Sequence, residues 1–350
     1  MPVSERELDM IYQSTMEDIV PALQNTIFKP TPWLDYCQSI ISSDKAGERI
    51  RVPLEMEKST GNFQYYRDYE ALTVAPIKGV RSAYYDWSTF GVGVTVSRRE
   101  EKVNSSSGKA IFNLLSQKIE NTTKSTSEKL DLELMQSTGE PDANGNVPLT
   151  GLYTLVGDHL SDITTVGEIS ATDNSWWRSR IHRQADGNNP GADLPVAGEG
   201  QALTLTSIDK MIDDLDEDGG KPARGFIRSD IKRALIGVLK ADAQPIMQNQ
   251  DMTLRTGFDN VVYRGVTFTN SLQIQSYAIT GRTDRASDIF WLPNSDAVQL
   301  ATFPGEWLTK TEWRMPTNQM ARIMWVLGMG NLIALNRRWL GKTEKVARQA

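Results

Sequence analysis

The sequence has very few of the residues that most catalytic and metal-binding sites use. It contains one cysteine, Cys37, and two histidines, His159 and His182, among 350 residues. One cysteine excludes an intrachain disulfide and a cysteine-based zinc site, and two histidines leave little material for a catalytic triad. No GxxxxGK[ST] phosphate loop, GxGxxG fingerprint, GxSxG elbow or HExxH zinc motif occurs. We therefore predict no catalytic, cofactor-binding or metal-binding site, and no enzymatic activity.

One acidic stretch imitates the beginning of a calcium-binding loop. Asp214, Asp216, Asp218 and Gly219 have the right spacing, but Gly225 stands at the twelfth position, where such a loop needs a glutamate. We predict a solvated acidic turn. Because carboxylates and tryptophans are plentiful, a carboxylate-dependent glycan hydrolase stays open as a distant alternative.

Positive charge and long apolar runs are also scarce. The 44 acidic and 38 basic residues give a formal charge of −6, so the chain lacks the positive field that drives tight nucleic-acid binding. The longest apolar run, residues 323–335, contains Asn331 and is shorter than the ~20 residues that span a bilayer. The opening residues, MPVSERELDM, have no secretory pattern. We expect a soluble, intracellular protein without a membrane partner.

Alternating apolar residues predict two strands that flank a long aromatic tip. Ile50, Val52 and Leu54 alternate with polar residues, Pro53 favours an edge strand, and residues 90–97 alternate in the same way. The tip contains Phe63, Tyr65, Tyr66, Arg67, Tyr69, Lys78, Arg81, Tyr84, Tyr85 and Trp87. An exposed aromatic patch typically marks a contact surface, but the same aromatics could instead fold back onto the chain's own core.

The longest predicted helix runs from about residue 108 to residue 135. Its apolar residues recur at spacings near three and four: Ile111, Leu114, Leu115, Ile119, Leu130 and Leu134. The middle, ENTTKSTSEK, is almost wholly polar, and at ~1.5 Å per residue the helix would be roughly 40 Å long. This pattern predicts a strut that lies on the surface of a sheet.

The two ends of the chain have their own patterns. Ser4 predicts the beginning of a helix that ends before Pro21, and the proline-rich segment 29–33 predicts an extended arm. At the other end, the basic stretch 337–348 could contact nucleic acid weakly, but we predict a solvated tail.

Residues 203–263 contain the clearest alternation of helix and strand. A helix with apolar residues from Ile208 to Leu215 is followed by a strand at 225–228 and by a helix that begins at Ser229. Further strands are predicted at 260–268, 287–292, 297–302 and 323–335. Before this region, the aromatic and basic patch from Trp176 to Arg183 could stack on bases or hold a nucleic-acid backbone. Such a patch is more often an ordinary interface or a loop anchor.

The order of these elements resembles that of the major capsid proteins of tailed bacteriophages with the Hong Kong 97-type fold. The resemblance rests on an arm, a long hairpin and a strut helix after SRREEKVNSSSGKAIFNLL. It continues with an α/β core of the form IDKMIDDL and GGKPARGFIRSDIKRALIGVL, and with YRGVTFTNS before the closing strands. It covers nearly the whole chain and implies an α+β fold with an N-terminal arm, an extended β-hairpin loop, a long spine helix, a peripheral domain and an axial α/β domain.

The resemblance also implies a division of the chain. Residues 1–47 would be the arm, 48–97 the extended loop, and 98–202 the peripheral domain with a spine helix at 108–135 and a loop insertion at 184–200. Residues 203–263 would be the axial domain, with a boundary that could extend to about 300, and 264–350 would return to the peripheral domain and end in the tail. In the extended loop, the implied inter-subunit contacts are Lys58, Phe63, Tyr65, Tyr66, Arg67, Lys78 and Arg81. The implied packing residues of the spine helix are Ile111, Leu114, Leu115, Leu130 and Leu134.

The resemblance implies a function in an icosahedral phage head built from pentamers and hexamers and assembled in the host bacterial cytoplasm. The implied partners are further copies of the chain, a separate scaffolding protein, a portal, a possible decoration protein and non-specifically contacted double-stranded DNA. We expect no lysine–asparagine cross-link, since no pair stands out. The close alternative is an encapsulin-like compartment shell, which shares the fold.

Overall fold

The computed structural model describes residues 30–43, 46–57, 62–72, 74, 76, 79–99, 114–157, 163–183, 205–243, 261–271, 274, 290–316 and 320–344. The helices are α1 (Pro32–Ser39), α2 (Leu114–Gln136), α3 (Leu152–Leu155), α4 (Leu205–Glu217) and α5 (Ser229–Ala243). The first eight strands are β1 (Ile41–Ser42), β2 (Arg49–Glu55), β3 (Val80–Asp86), β4 (Ser88–Ser97), β5 (Thr165–Val166), β6 (Ile169–Ser170), β7 (Arg180–Arg183) and β8 (Arg224–Ile227). The others are β9 (Val261–Tyr263), β10 (Val266–Asn270), β11 (Phe290–Leu292), β12 (Val298–Thr302), β13 (Thr309–Lys310), β14 (Ala321–Ala334) and β15 (Gly341–Glu344).

A five-stranded sheet is built around the long strand β14. One part of β14 pairs antiparallel with β4, from Ala321 opposite Ser97 to Gly330 opposite Ser88. The following residues pair with β12, which in turn pairs parallel with the short β1. The strand predicted at 90–97 therefore exists, but it belongs to this sheet and is not the second strand of the hairpin. The second strand is β3, which pairs with β2 over its whole length.

A six-stranded sheet has the order β7-β15-β11-β8-β10-β9. Strands β8 and β10 are parallel and are connected through a segment that contains α5, as a crossover requires. The apolar stripes of α4 and α5 pack on this sheet in a core that includes Ile208, Met211, Leu235 and Phe268. The predicted helix, strand and helix of this region are present.

A larger core joins the five-stranded sheet to α1, α3, the hairpin and the C-terminal half of α2. The expected extended segment 29–33 is wrong at its C-terminal end, because α1 begins at Pro32. Proline is well suited to the first helical position, where its missing N–H would have no helical acceptor. This start buries four side chains of α1, those of Trp33, Leu34, Tyr36 and Cys37. The rings of Trp33 and Phe226 contact each other edge to face, with their centroids 5.1 Å apart.

The strands after residue 264 divide between the two sheets, whereas we expected them to return to one. Strands β10, β11 and β15 lie in the six-stranded sheet, and β12 and β14 lie in the other. The strand expected at 260–268 is interrupted, because Arg264 and Gly265 both have positive φ and form the turn between β9 and β10. The solvated tail is also wrong over 337–344, where β15 is an internal strand of its sheet.

Candidate inter-subunit surface

The inner face of the hairpin is part of the larger core. On β2 the side chains of Ile50, Val52 and Leu54 are buried, and on β3 those of Ala83 and Tyr85 are buried. The strict alternation of buried and exposed residues along β2 produces this face. The base of the hairpin therefore cannot leave the molecule without exposing apolar surface.

Polar contacts fix the direction in which the hairpin projects. Arg49 Nε lies 2.6 Å from Asp86 Oδ1, and Arg49 Nη2 lies 2.5 Å from Glu168 Oε1. The backbone N–H of Tyr84 donates to the carbonyl oxygen of Gly167 at 3.1 Å, which joins β3 to the turn between β5 and β6.

The tip of the hairpin, residues 62–72, exposes large aromatic side chains. Phe63 is 70% exposed, Tyr65 is 90% exposed and Tyr66 is 67% exposed. Phe63 and Tyr65 contact each other edge to face, with ring centroids 5.2 Å apart. The backbone N–H of Arg67 donates to Glu70 Oε2 at 3.1 Å. Single exposed apolar residues are ordinary on the surface of a monomer, whereas a contiguous group of exposed aromatics is typical of a contact surface.

Other aromatics that we grouped with the tip belong to the core. Tyr85 is 5% exposed and points into the molecule from β3, and Trp87 packs partly buried against the same core. Tyr85 and Trp87 therefore pack on the core of their own chain, as the second of the two interpretations predicts, whereas the aromatics of residues 62–72 project from it. Among the remaining predicted contacts, Arg81 donates to Asn174 Oδ1 at 3.2 Å, and Lys58 and Lys78 lie outside the described residues.

The spine helix α2 is anchored at its C-terminal end. Leu130 and Leu134 are buried in the larger core. Ile111 lies outside the described residues, and Leu114 and Leu115 belong to the helix, but their side chains lie outside the described part of the structure. In the polar middle, Thr126 Oγ1 donates to the carbonyl oxygen of Thr122 at 2.7 Å, so the helix itself satisfies this buried hydroxyl.

A buried carboxylate ties α2 to α1. Asp131 is fully buried, and its Oδ1 accepts a hydrogen bond from the backbone N–H of Leu34 at 2.6 Å. It therefore supplies the acceptor that the first turn of α1 lacks, since Thr31 makes no side-chain cap. Burial raises the pKa of Asp131 to about 7. Sequence reasoning missed this residue, because the cap lies almost a hundred positions from the helix that it caps.

Two basic residues of the expected tail are fully buried. Arg337 donates to the carbonyl oxygens of Leu155, Trp177 and Gly157 at 2.8, 3.0 and 3.1 Å. Burial lowers the pKa of Arg337 to about 10. The Nζ atom of Lys342 lies between aromatic rings, 5.3 Å from the ring centre of Tyr153 and 5.8 Å from that of Trp291. A run of basic residues normally indicates a solvated segment, and no local sequence pattern indicates that Arg337 and Lys342 are buried.

The acidic stretch at the C-terminal end of α4, Asp214 to Gly219, is used in ion pairs. Asp214 Oδ2 lies 2.7 Å from His182 Nε2, and desolvation lowers the pKa of that histidine. Asp218 is almost buried between Arg180 and Arg338, so the expected solvated turn is wrong at this position. These contacts also make the patch 176–183 a loop anchor, since Trp177 is buried and its Nε1 donates to the carbonyl oxygen of Val166 at 2.9 Å.

Neither a metal cluster nor a membrane span is found in the part of the chain that the structure describes. Within it, no group of three or more histidine, cysteine, aspartate and glutamate side chains is arranged to hold a metal ion. Within the same residues, no helix combines the length and the apolar character needed to cross a bilayer.

Comparison with solved structures identifies the fold. No family model and no curated protein sequence matches the chain. The cyanophage A-1(L) capsid asymmetric unit matches with a TM-score of 0.68 at 15% identity, over 95% of this chain and 97% of that one. The holo-SrpI encapsulin complex from Synechococcus elongatus PCC 7942 gives a TM-score of 0.59 at 13% identity, over 99% and 97%. Mycobacterium phage Bobi gives 0.55 at 10% identity over 100% of both chains. The chain therefore has the α+β fold of phage capsid proteins that its sequence resembles.

Proposed function

We propose that this chain is the major capsid protein of a tailed double-stranded DNA bacteriophage. Copies of it assemble through pentamers and hexamers into an icosahedral shell around the genome. The observation that carries the proposal is the full-length match to a phage capsid subunit, with 95% of this chain and 97% of the other aligned at a TM-score of 0.68. The exposed aromatic tip supports it, because a projecting apolar surface needs a partner.

Self-assembly follows from the arrangement of the surfaces. A tip on one side of a subunit that contacts a different surface on the next subunit is a heterologous contact, and such contacts close into rings when the rotation allows. Each copy then makes several modest contacts, and their sum holds the shell together. In this proposal the chain is a structural protein without catalytic turnover.

The further partners are those of a phage head. The chain works with a separate scaffolding protein and a portal, encloses double-stranded DNA through non-specific contacts, and can carry a decoration protein. The formal charge of −6 supports weak, non-specific contact with the genome, since a strongly basic wall would bind the packaged phosphates tightly. Particles would form in the host bacterial cytoplasm.

A second candidate is an encapsulin-like compartment shell, because an encapsulin complex matches over 99% of this chain. Electron microscopy of particles purified from the native source, followed by nuclease treatment and extraction of their contents, separates the candidates. DNA protected inside the particles would support the phage capsid, whereas an enclosed protein cargo without DNA would support the encapsulin-like shell. A monomer by sedimentation that hydrolyses a glycan would contradict both and support the distant hydrolase.

A further inference from the structure

The two edges of the hairpin differ in what they offer to another strand. The backbone N–H of Met56 donates to the carbonyl oxygen of Gly79 at 3.0 Å, so these two residues form a hydrogen-bonded pair next to the β2–β3 ladder. In an antiparallel ladder, hydrogen-bonded and non-hydrogen-bonded residue pairs alternate, and this pair fixes which are which. Residues 51, 53 and 55 of β2 and residues 80, 82 and 84 of β3 therefore direct their backbone groups outward. On β2 this outward position at 53 is a proline, which has no N–H to donate.

The outer edge of β3 is only partly covered. The N–H of Tyr84 is bonded to Gly167, as described above. Among the described residues, no hydrogen bond engages the outward backbone groups of Val80 and Ser82. Val80 is also 71% exposed. An open edge of this kind is a template for an added segment, and proteins usually cover or block it.

A charged cleft borders this edge. It is an open cleft of about 450 Å³ lined by Arg51, Val80, Arg81, Ser82, Tyr84 and Glu168. Arg51 Nε donates to Ser82 Oγ at 2.9 Å, and Arg81 donates to Asn174. Neither guanidinium has a carboxylate partner within the described ranges, whereas Glu168 is paired with Arg49. Each arginine therefore keeps donors that suit a carboxylate or an aromatic face.

The hairpin tip has the complementary chemistry. Residues 62–72 contain Asp68 and Glu70 against Arg67 alone, which gives the segment a net charge of −1. Residues 63–72 contain no helix or strand and one turn at Asp68 and Tyr69, and the aromatics Phe63, Tyr65 and Tyr66 are exposed. This exposure means that the tip does not lie on the cleft of its own chain.

We propose that the tip of one copy, residues 62–72, binds along the outer edge of β3 in a second copy, with its carboxylates at Arg51 and Arg81 and its aromatics on Val80 and Tyr84. This inference rests on the proposed function and names the surface that receives the tip. The contact is heterologous, so each subunit of a ring gives one tip and receives another.

Charge reversal tests the electrostatic part. The double variant Arg51→Glu and Arg81→Glu is expected to slow particle assembly at least ~10-fold, since it places like charges opposite each other across the contact. Adding Asp68→Arg and Glu70→Arg to the same chain should restore assembly. The matched control is Lys310→Glu, which reverses an exposed positive charge on β13 of the five-stranded sheet and should assemble normally. Assembly of the double variant at the wild-type rate would overturn the proposal.

A photo-cross-link tests the placement without depending on that variant. Benzoylphenylalanine replaces Tyr65, and ¹⁵N-labelled and unlabelled chains are mixed before assembly. The expected product joins residue 65 to residues 80–86, which form β3, of a chain with the other label. A product within one chain, a product with any other segment, or no product in intact particles would overturn the inference. If wild-type chains form no particles even when the scaffolding protein is supplied, the proposed function fails instead.

Discussion

At the scale of single residues, Asp131 couples the stability of the subunit to pH. Burial raises the pKa of Asp131 from 3.8 to about 7, against the opposing effect of the N–H donors of Leu34 and Trp33, and Asp35 and Glu128 raise it further. The folded state therefore binds this proton more readily than the unfolded state. The contribution of Asp131 to the free energy of unfolding is highest below pH ~4, decreases up to pH ~7 and is constant above it.

We expect Asp131→Asn to be more stable than the wild type above pH 7 and to lose this advantage below pH 4. The full change is on the order of 4 kcal/mol, from about 1.4 kcal/mol per pKa unit. Urea denaturation of dissociated subunits at a series of pH values measures the difference between the two proteins. Glu312→Gln, at an exposed position outside α1 and α2, is the control and should follow the wild type. Parallel stability curves for wild type and Asp131→Asn would contradict the prediction.

Arg337 is the second residue with a measurable effect. Arg337→Met keeps much of the side-chain volume but removes the donors to three buried carbonyl oxygens. We expect a loss of about 3 kcal/mol or more in the free energy of unfolding, because each unsatisfied buried acceptor costs ~1–3 kcal/mol. Denaturant titration measures the loss, and Arg314→Met at an exposed position should change stability little. Equal stabilities of the two variants would show that the carbonyls find other donors.

At the scale of elements, the tip and the spine helix should respond differently to substitution. Tyr65→Ala together with Tyr66→Ala removes exposed aromatic area and no buried contact. We expect folded subunits with normal urea denaturation and impaired particle formation by sedimentation. Tyr85→Ala, from the same hairpin but buried, should instead reduce the stability of the subunit. Loss of folding in the tip variant would place residues 65 and 66 in the core.

Leu134 tests the attachment of the spine. Its side chain is fully buried, so Leu134→Ala should lower the free energy of unfolding by ~2–5 kcal/mol, and a polar replacement should leave little soluble subunit. Polar replacements of Ile111 and Leu115 are expected to act in the same direction. Ser125→Ala, at an exposed position of α2, is the control. A soluble, normally stable Leu134→Asn subunit would contradict the placement.

Local sequence patterns predicted the helices and strands better than they predicted which strands pair with each other. The alternation along β2 and β4 identified both strands and their buried faces, and the helical spacing identified α2, α4 and α5. The partner of β4 is β14, more than two hundred positions away, and no local pattern indicates that pairing. The same limit applies to the aromatic residues of the hairpin. Tyr85 lies in β3, where the alternation of side chains places it on the core face, whereas the exposed aromatics precede β3. Which aromatics are buried therefore depends on where β3 begins, and no local pattern indicates that position.

At the scale of the whole molecule, the order of elements predicted the fold although identity to the matched structures is only 10–15%. Burial of charge could not be predicted in the same way. Asp131, Arg337 and Lys342 are polar in sequence and enclosed in the structure, because each is compensated by groups from distant segments. Such residues connect α1, α3 and the C-terminal segment into one larger core.

The position of β15 has a consequence for folding. This strand lies between β7 and β11, and within the described residues β15 is the strand that pairs with β7. The paired residues of β7 and β15 are more than 150 positions apart. Their pairing must close a long loop of chain before any hydrogen bond compensates for the lost entropy, so we expect the six-stranded sheet to be completed late in folding.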